Sequence, residues 1–213
     1  MELTEYRTRI TRYLQDTAAV TWNTDEIDDG LRFALAEFSE TYPQHAETVI
    51  TCPGAGREIA IDSIEGLTGV TRVWWPYDST AEAWPPNQVA GWKLLWDDGR
   101  PVLFLSSLTG NEPQANDEIR IWYVKPQTIN GLDGAAVTTL QANHENLIVI
   151  GSAGFAAQSK SLTLGLSIDR DKLDTWGYRR ISDFRRHLSR LDNHETRRGE
   201  PWGGGWQLDK WAE

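Results

Sequence analysis

The chain is short of the residues that carry most catalysis and metal binding. It has one cysteine, Cys52, in 213 residues. An internal disulfide is therefore impossible, and a cysteine-built metal cluster goes with it. Cys52 sits in a strand-like run without a paired histidine, so a buried, inert thiol is expected. The four histidines are scattered. His187 and His194 stand seven residues apart, two helical turns, whereas a helical zinc pair needs i, i+4 with a glutamate. Solvated helix positions are the reading. His144 opens a helix with Glu145 and has no evident partner. No run approaches eighteen apolar residues, so no helix is expected to span a membrane. The opening "MELTEYRTRI" carries acids and arginines where a secretory leader needs an apolar core. The expectation is a protein made in the cytoplasm that stays there or joins an assembly.

Nucleotide and hydrolase signatures are missing too. The glycines Gly203, Gly204 and Gly205 have no strand before them and no helix after, so they cannot form a phosphate loop. No Gly-x-Ser-x-Gly elbow occurs. The run "DRDKLD" at 169–174 lacks the glycine and closing glutamate of a calcium loop, and reads as a helix cap. Glu112 and Asp117, near Asn116, are the one loop cluster to weigh for an enzyme acting on the cell wall. Turn formation accounts for them better. No cofactor, no metal and no enzymatic activity are expected.

Positive charge is scarce and unevenly placed. The chain carries a net −10. Residues 1–168 hold 11 basic and 22 acidic side chains, residues 169–198 hold 9 and 6, and the last fifteen hold 1 and 3. Such a body is a poor sequence-independent DNA clamp, since phosphate neutralisation needs lysine and arginine. It would let DNA slide past.

The elements present fall into three blocks. Leu3, Tyr6, Ile10, Tyr13 and Leu14 recur at helical spacing. A second helix begins at Asn23, with Glu26 placed for a capping box and Trp22 for a staple onto Ile27. Its stripe is Ile27, Leu31, Leu35, Phe38 and Tyr42, and Pro43 ends it. From about residue 46 to 126 the period changes. "ETVIT", "REIAID", "GVTRVWW", "GWKLLW", "PVLFLS" and "DEIRIWYV" read as six strands, with "DDGRP" a hairpin turn. An antiparallel sheet, sandwich or small barrel follows. Beyond the connector "KPQTINGLDGAAVTT", Leu140, Leu147, Ile148, Phe155 and Leu162 restore helical spacing. Gly151, Ala153, Gly154 and Ala157 among them allow close helix approach. A long last helix, capped by Ser167 or Asp169, reaches roughly residue 195 on the stripe Leu173, Trp176, Ile181, Phe184, Leu188 and Leu191. The predicted class is α+β: an antiparallel bundle of about four helices (1–45 and 127–196), an inserted antiparallel β domain (46–126) and an extended C-terminal arm (197–213).

Two features read as recognition hardware. Eleven tryptophans are a large excess. Trp74, Trp92, Trp96 and Trp122 are expected to fill the sheet core. Trp75, Trp84, Trp202, Trp206 and Trp211 fall in turns or loops, where tryptophan marks interface anchors. The tail "GEPWGGGWQLDKWAE" has no local core, so its tryptophans and glycines suit an arm that fills pockets on another protein. The last helix carries Arg179, Arg186, Arg190 and Arg197, within about 20° of one direction and opposite its apolar stripe. That face is solvated, or pairs with acids of another copy or a neighbouring protein, or meets DNA, the last disfavoured by net charge. A carbohydrate-binding module stacking sugars on Trp84 and Trp75 is the alternative function.

"VTWNTDEIDDGLRFALAEFSETYP" resembles the second-helix motif of the head-to-tail connector proteins of tailed bacteriophages, also called adaptor or head-completion proteins. "EIRIWYVKPQTINGLDG" followed by "TLQANHENLIVIGSAGFAA" is similar to that family in its last strand, proline link and small-residue helix. The likeness in layout covers most of residues 3–160 and is specific at Trp22–Pro43. It implies a non-enzymatic virion protein at the neck, twelve copies forming a ring beneath the portal. The ring would extend the channel for genomic DNA and meet the next neck or tail protein. By that resemblance residues 46–126 face the tail, the helices build the ring wall, and 197–213 reach back onto the portal.

Overall fold

A computed structural model describes residues 1–16, 21–80, 88–107, 112–164 and 168–198, with side chains to 191. The class is α+β, as expected. The chain divides into two units, Met1–Tyr42 with the chain from Gln127 onward, and Pro43–Pro126.

The first unit is helical. α1 (Leu3–Tyr13) buries Leu3, Tyr6 and Ile10. α2 (Thr24–Thr41) starts as its sequence dictates. The Asn23 side chain accepts from the Glu26 amide at 2.8 Å, and the Glu26 carboxylate accepts from the Asn23 amide at 2.9 Å. Both orphan donors of the first turn are thereby satisfied. Trp22 and Ile27 are buried in one core, as the staple requires. The Leu35 carbonyl accepts from Ser39 Oγ, which accepts in turn from the Gln127 amide, so the segment after the β unit is tied to α2.

That segment is more than a link. Ile129 and Leu132 are buried in the helical core, and the Leu3 amide donates to the Asn130 carbonyl. Leu140 is buried there before any helix begins; α3 (Glu145–Thr163) opens after His144. His144 is itself buried, its ring 5.4 Å from Phe38 and 4.9 Å from Tyr42. Leu162, expected on the buried stripe, is 73% exposed in the last turn of α3, where its neighbour Ser161 is the residue that meets the last helix through Asp174.

α4 (Ile168–Arg198) is 31 residues, about 46 Å at 1.5 Å per residue. Asp169 lies inside its first turn, so it acts on the helix dipole and not as the cap. Ser167 lies outside the described residues. Ile181, Phe184 and Leu188 are buried, flanked by half-buried Leu173, Trp176 and Leu191.

α3 is the centre of the unit. Gly151 and Gly154 meet Phe184 and Ile181 of α4, while Ala157 and Gln158 meet Gly177, so these helices are antiparallel. Ser152 and Ala156 of α3 meet Gly30 of α2. The two sets of small residues lie about 160° apart round α3 at 100° per residue. Hence α2 and α4 pack on different sides of α3, though they also meet each other where Arg185 binds Glu37.

The second unit has two three-stranded antiparallel sheets. β1 (Gln44–Thr51), β6 (Glu118–Lys125) and β3 (Gly69–Tyr77) form one in the order β1-β6-β3. β2 (Glu58–Ala60), β5 (Arg100–Ser107) and β4 (Gly91–Asp97) form the other in the order β2-β5-β4. The β4–β5 turn is Asp98-Gly99, with φ of 48° and 77°, the positive values a two-residue hairpin needs. Ile119 and Ile121 alternate inward on β6, and with Val73, Trp75, Leu103, Leu105 and Ile59 they make the unit's core.

Candidate interaction surfaces

The tryptophans sort differently from the expectation. Trp75, read as a recognition residue, is buried in β3 beside Val73. Trp96, read as core, is 58% exposed at the β4–β5 hairpin. The reason is strand parity: one position along a strand turns a side chain to the other face. Trp74 and Trp122 also miss the core. They stand half-buried on the opposite face of the β1-β6-β3 sheet, with ring centroids 4.3 Å apart. The Arg120 guanidinium lies 5.4 Å from Trp74, 4.8 Å from Trp122 and 5.5 Å from Tyr77, and it binds Glu47 at 3.0 Å. Arg72 adds a second cation 5.6 Å from Trp122. Register makes this: Arg120 pairs with Trp74, and Trp122 with Arg72. No sequence signal beyond the alternation of β6 pointed to it. Trp92 is half-buried against the core.

The carboxylates weighed for catalysis are engaged in structure. Glu112 binds Arg57 at 2.8 Å. The Gln114 amide donates to the Asp117 carboxylate at 2.8 Å, the Asp117 amide donates to the Gln114 carbonyl at 3.1 Å, and Asn116 takes φ 72°, so the loop is a turn. Cys52 is 1% exposed, and its thiol is pushed up by burial and by the nearby Asp117 charge. Among the described residues no group of three potential metal ligands occurs, and no helix is long and apolar enough to cross a membrane.

The arginine stripe is exposed where described. Arg179 and Arg190 have no ion-pair partner among the described residues, and Arg186 reaches Asp183 on its own helix at 3.4 Å. The stripe points away from α3, since Arg179 lies about 160° round the helix from Gly177, which faces α3. Arg197 is within α4, but its side chain lies outside the described residues. So do Trp84, the arm tryptophans Trp202, Trp206 and Trp211, and Gly203, Gly204 and Gly205.

Two further arginines of α4, not singled out from sequence, act within the unit. Arg185 binds Glu37 of α2 at 3.0 Å, and this partner holds its guanidinium pKa above the ordinary value. Arg180 donates to the Tyr13 hydroxyl at 3.3 Å and covers Trp176. Position round the helix separates these from the outward arginines. A cleft of about 300 Å³ lies along the Arg185–Glu37 contact, lined also by Glu40 and Leu188.

The outward face of α2 has the opposite sign. Asp25, Asp29 and Ala36 are exposed, and lie about 140°, 100° and 120° round the helix from Gly30, which faces α3. Arg32 sits among them but is held by Asp29 at 2.7 Å and Asp133 at 2.8 Å, leaving the patch net acidic. α1, which shares in the acidic part of the sequence, does not contribute: Glu5 is paired with Arg9, and Arg7 with Asp28.

No protein-family model and no curated protein matches the chain. Among solved structures it is similar to a chain in the neck of an empty GTA particle computed with C6 symmetry. The identity is 16%, over 73% of this chain and 77% of that one, with a TM-score of 0.32.

Proposed function

We propose that the chain is a structural head-to-tail adaptor of a phage-like particle. It forms a ring under the portal by binding copies of itself. The ring extends the DNA channel, and links the portal to the next neck or tail protein. Its role is architectural and not enzymatic.

The observation that carries the reading is that α4 turns an arginine face, and α2 an acidic face, away from α3. Each copy thereby presents two different outward faces of opposite charge, which a heterologous ring contact requires. The Trp22–Pro43 motif supports it: the residues that resemble the connector family form one capped helix locked onto α3. The segment 199–213 is the portal-binding arm, anchored by Trp202, Trp206 and Trp211.

The test is binding of the full chain to the portal of the same particle. Deleting 199–213 should abolish that binding while leaving the melting temperature unchanged. An undiminished affinity would reject the arm, and a full-length chain that ignores the portal would reject the adaptor role.

The carbohydrate-binding alternative loses one of its two platforms, since Trp75 is buried. A glycan array without hits would remove the remainder.

A further inference from the structure

The adaptor reading asks for two complementary patches, and the structure carries them on two particular helices. We infer that the arginine face of α4 in one copy packs on the Asp25–Asp29 face of α2 in the next copy. This inference rests on the adaptor reading and names its subunit contact.

Three observations carry it. The first is charge. Arg179 and Arg190 have no ion-pair partner among the described residues, and neither does Asp25. Each face therefore keeps charge that the described residues of its own copy do not pair. The second is direction. Both faces turn away from α3, and the one ion pair between α2 and α4 among the described residues, Arg185–Glu37, uses neither of them. The third is length. Asp25 and Asp29 lie one turn apart, about 6 Å, which falls within the roughly 16 Å from Arg179 to Arg190. Arginine suits the contact because its planar fork holds a carboxylate by two bonds. Repetition round a ring multiplies a contact that is weak alone.

The experiment uses two variants of the full chain. Arg179→Glu with Arg190→Glu reverses the two arginines of the α4 face that have no ion-pair partner among the described residues. Asp25→Lys with Ala36→Lys makes both faces basic. All four positions are exposed and their side chains make no bond within the described unit; Asp25→Lys reverses a charge in the first turn of α2 and should lower the melting temperature slightly, so each variant's folding is checked by its own thermal melt. Self-association is read by sedimentation velocity and native mass at about 50 mM salt, where surface charge is weakly screened.

Each variant alone should lose self-association by at least about tenfold. An equimolar mixture should recover it, with the two variants in strict alternation, because every contact then pairs an acidic with a basic face. A mixture that stays dissociated overturns the pairing, as does a wild-type chain that remains monomeric under the same conditions. If portal binding holds while the mixture fails, the adaptor reading survives and this contact does not. If the mixture alternates while portal binding fails, the contact stands without the neck role.

Discussion

Gly177 of α4 lies so near α3 that a Cβ built on it would stand 2.9 Å from the carbonyl oxygen of Gly154. Gly30 of α2 is tighter still, 2.6 Å from the Ser152 carbonyl oxygen. Both neighbours are backbone and cannot swing aside. Gly177→Ala and Gly30→Ala should each destabilise the protein by about 1–3 kcal/mol through overpacking. This outweighs the ~1 kcal/mol that alanine gains in helix propensity. Gly54→Ala, at a position with open space, is the control and should stay within about 0.5 kcal/mol. Equal melts for all three variants would show that the helices are not held at this spacing.

Arg7 and Asp28 join α1 to α2 by two bonds, at 2.8 Å and 2.6 Å. Asp28 is 7% exposed. Arg7→Ala leaves that carboxylate without its cation and should cost about 2 kcal/mol in chemical denaturation. Arg7→Met with Asp28→Leu removes both charges and should be closer to wild type. A double variant worse than the single would contradict this account.

The Glu26 carboxyl belongs both to the capping box and to a bond with Lys160 at 2.8 Å. Burial raises its pKa, but the Lys160 ammonium and the Asn23 amide outweigh burial and hold it below the ordinary value. A depressed carboxylate stabilises the fold above its unfolded pKa, about 4.3, and loses that contribution as pH falls through the folded value. Glu26→Gln should therefore destabilise by about 1 kcal/mol at neutral pH. The gap to wild type should close as the melt is taken into acid. Asn23→Ala, which removes an uncharged cap, should cost about 1 kcal/mol at neutral pH.

Cys52 should be silent toward thiol reagents in the folded protein. Its burial and its raised pKa both suppress the thiolate. Labelling should appear only as the β unit unfolds, and immediate labelling in native buffer would place the side chain at the surface.

The helices were legible because their signals are local. Asn23, Glu26 and Pro43 bound α2 by chemistry acting over three or four residues. The six strands were legible from composition and turn residues, down to the Asp98-Gly99 hairpin. What failed was parity. Trp75 and Trp96 exchanged roles because strand composition marks a strand without saying which face meets the second sheet. The Arg120–Trp74–Trp122 cluster went unseen for a related reason. It depends on the register between β3 and β6, and register is set by pairing across 46 residues between Trp74 and Arg120.

The sequence by itself determined the kinds of element, their order and the charge each carries, since propensity, capping and net charge are properties of neighbours along the chain. It also marked the small residues of α3 as a place of close approach. Only the tertiary structure decided that those small residues form two rows, one for α2 and one for α4. It likewise decided that Arg185 and Arg180 turn inward to Glu37 and Tyr13 while Arg179 and Arg190 turn out. Those outcomes follow from which helices pack on which sides of α3, and packing is settled by contacts between residues distant in sequence, 23 positions for Gly154 and Gly177 and 122 for Gly30 and Ser152.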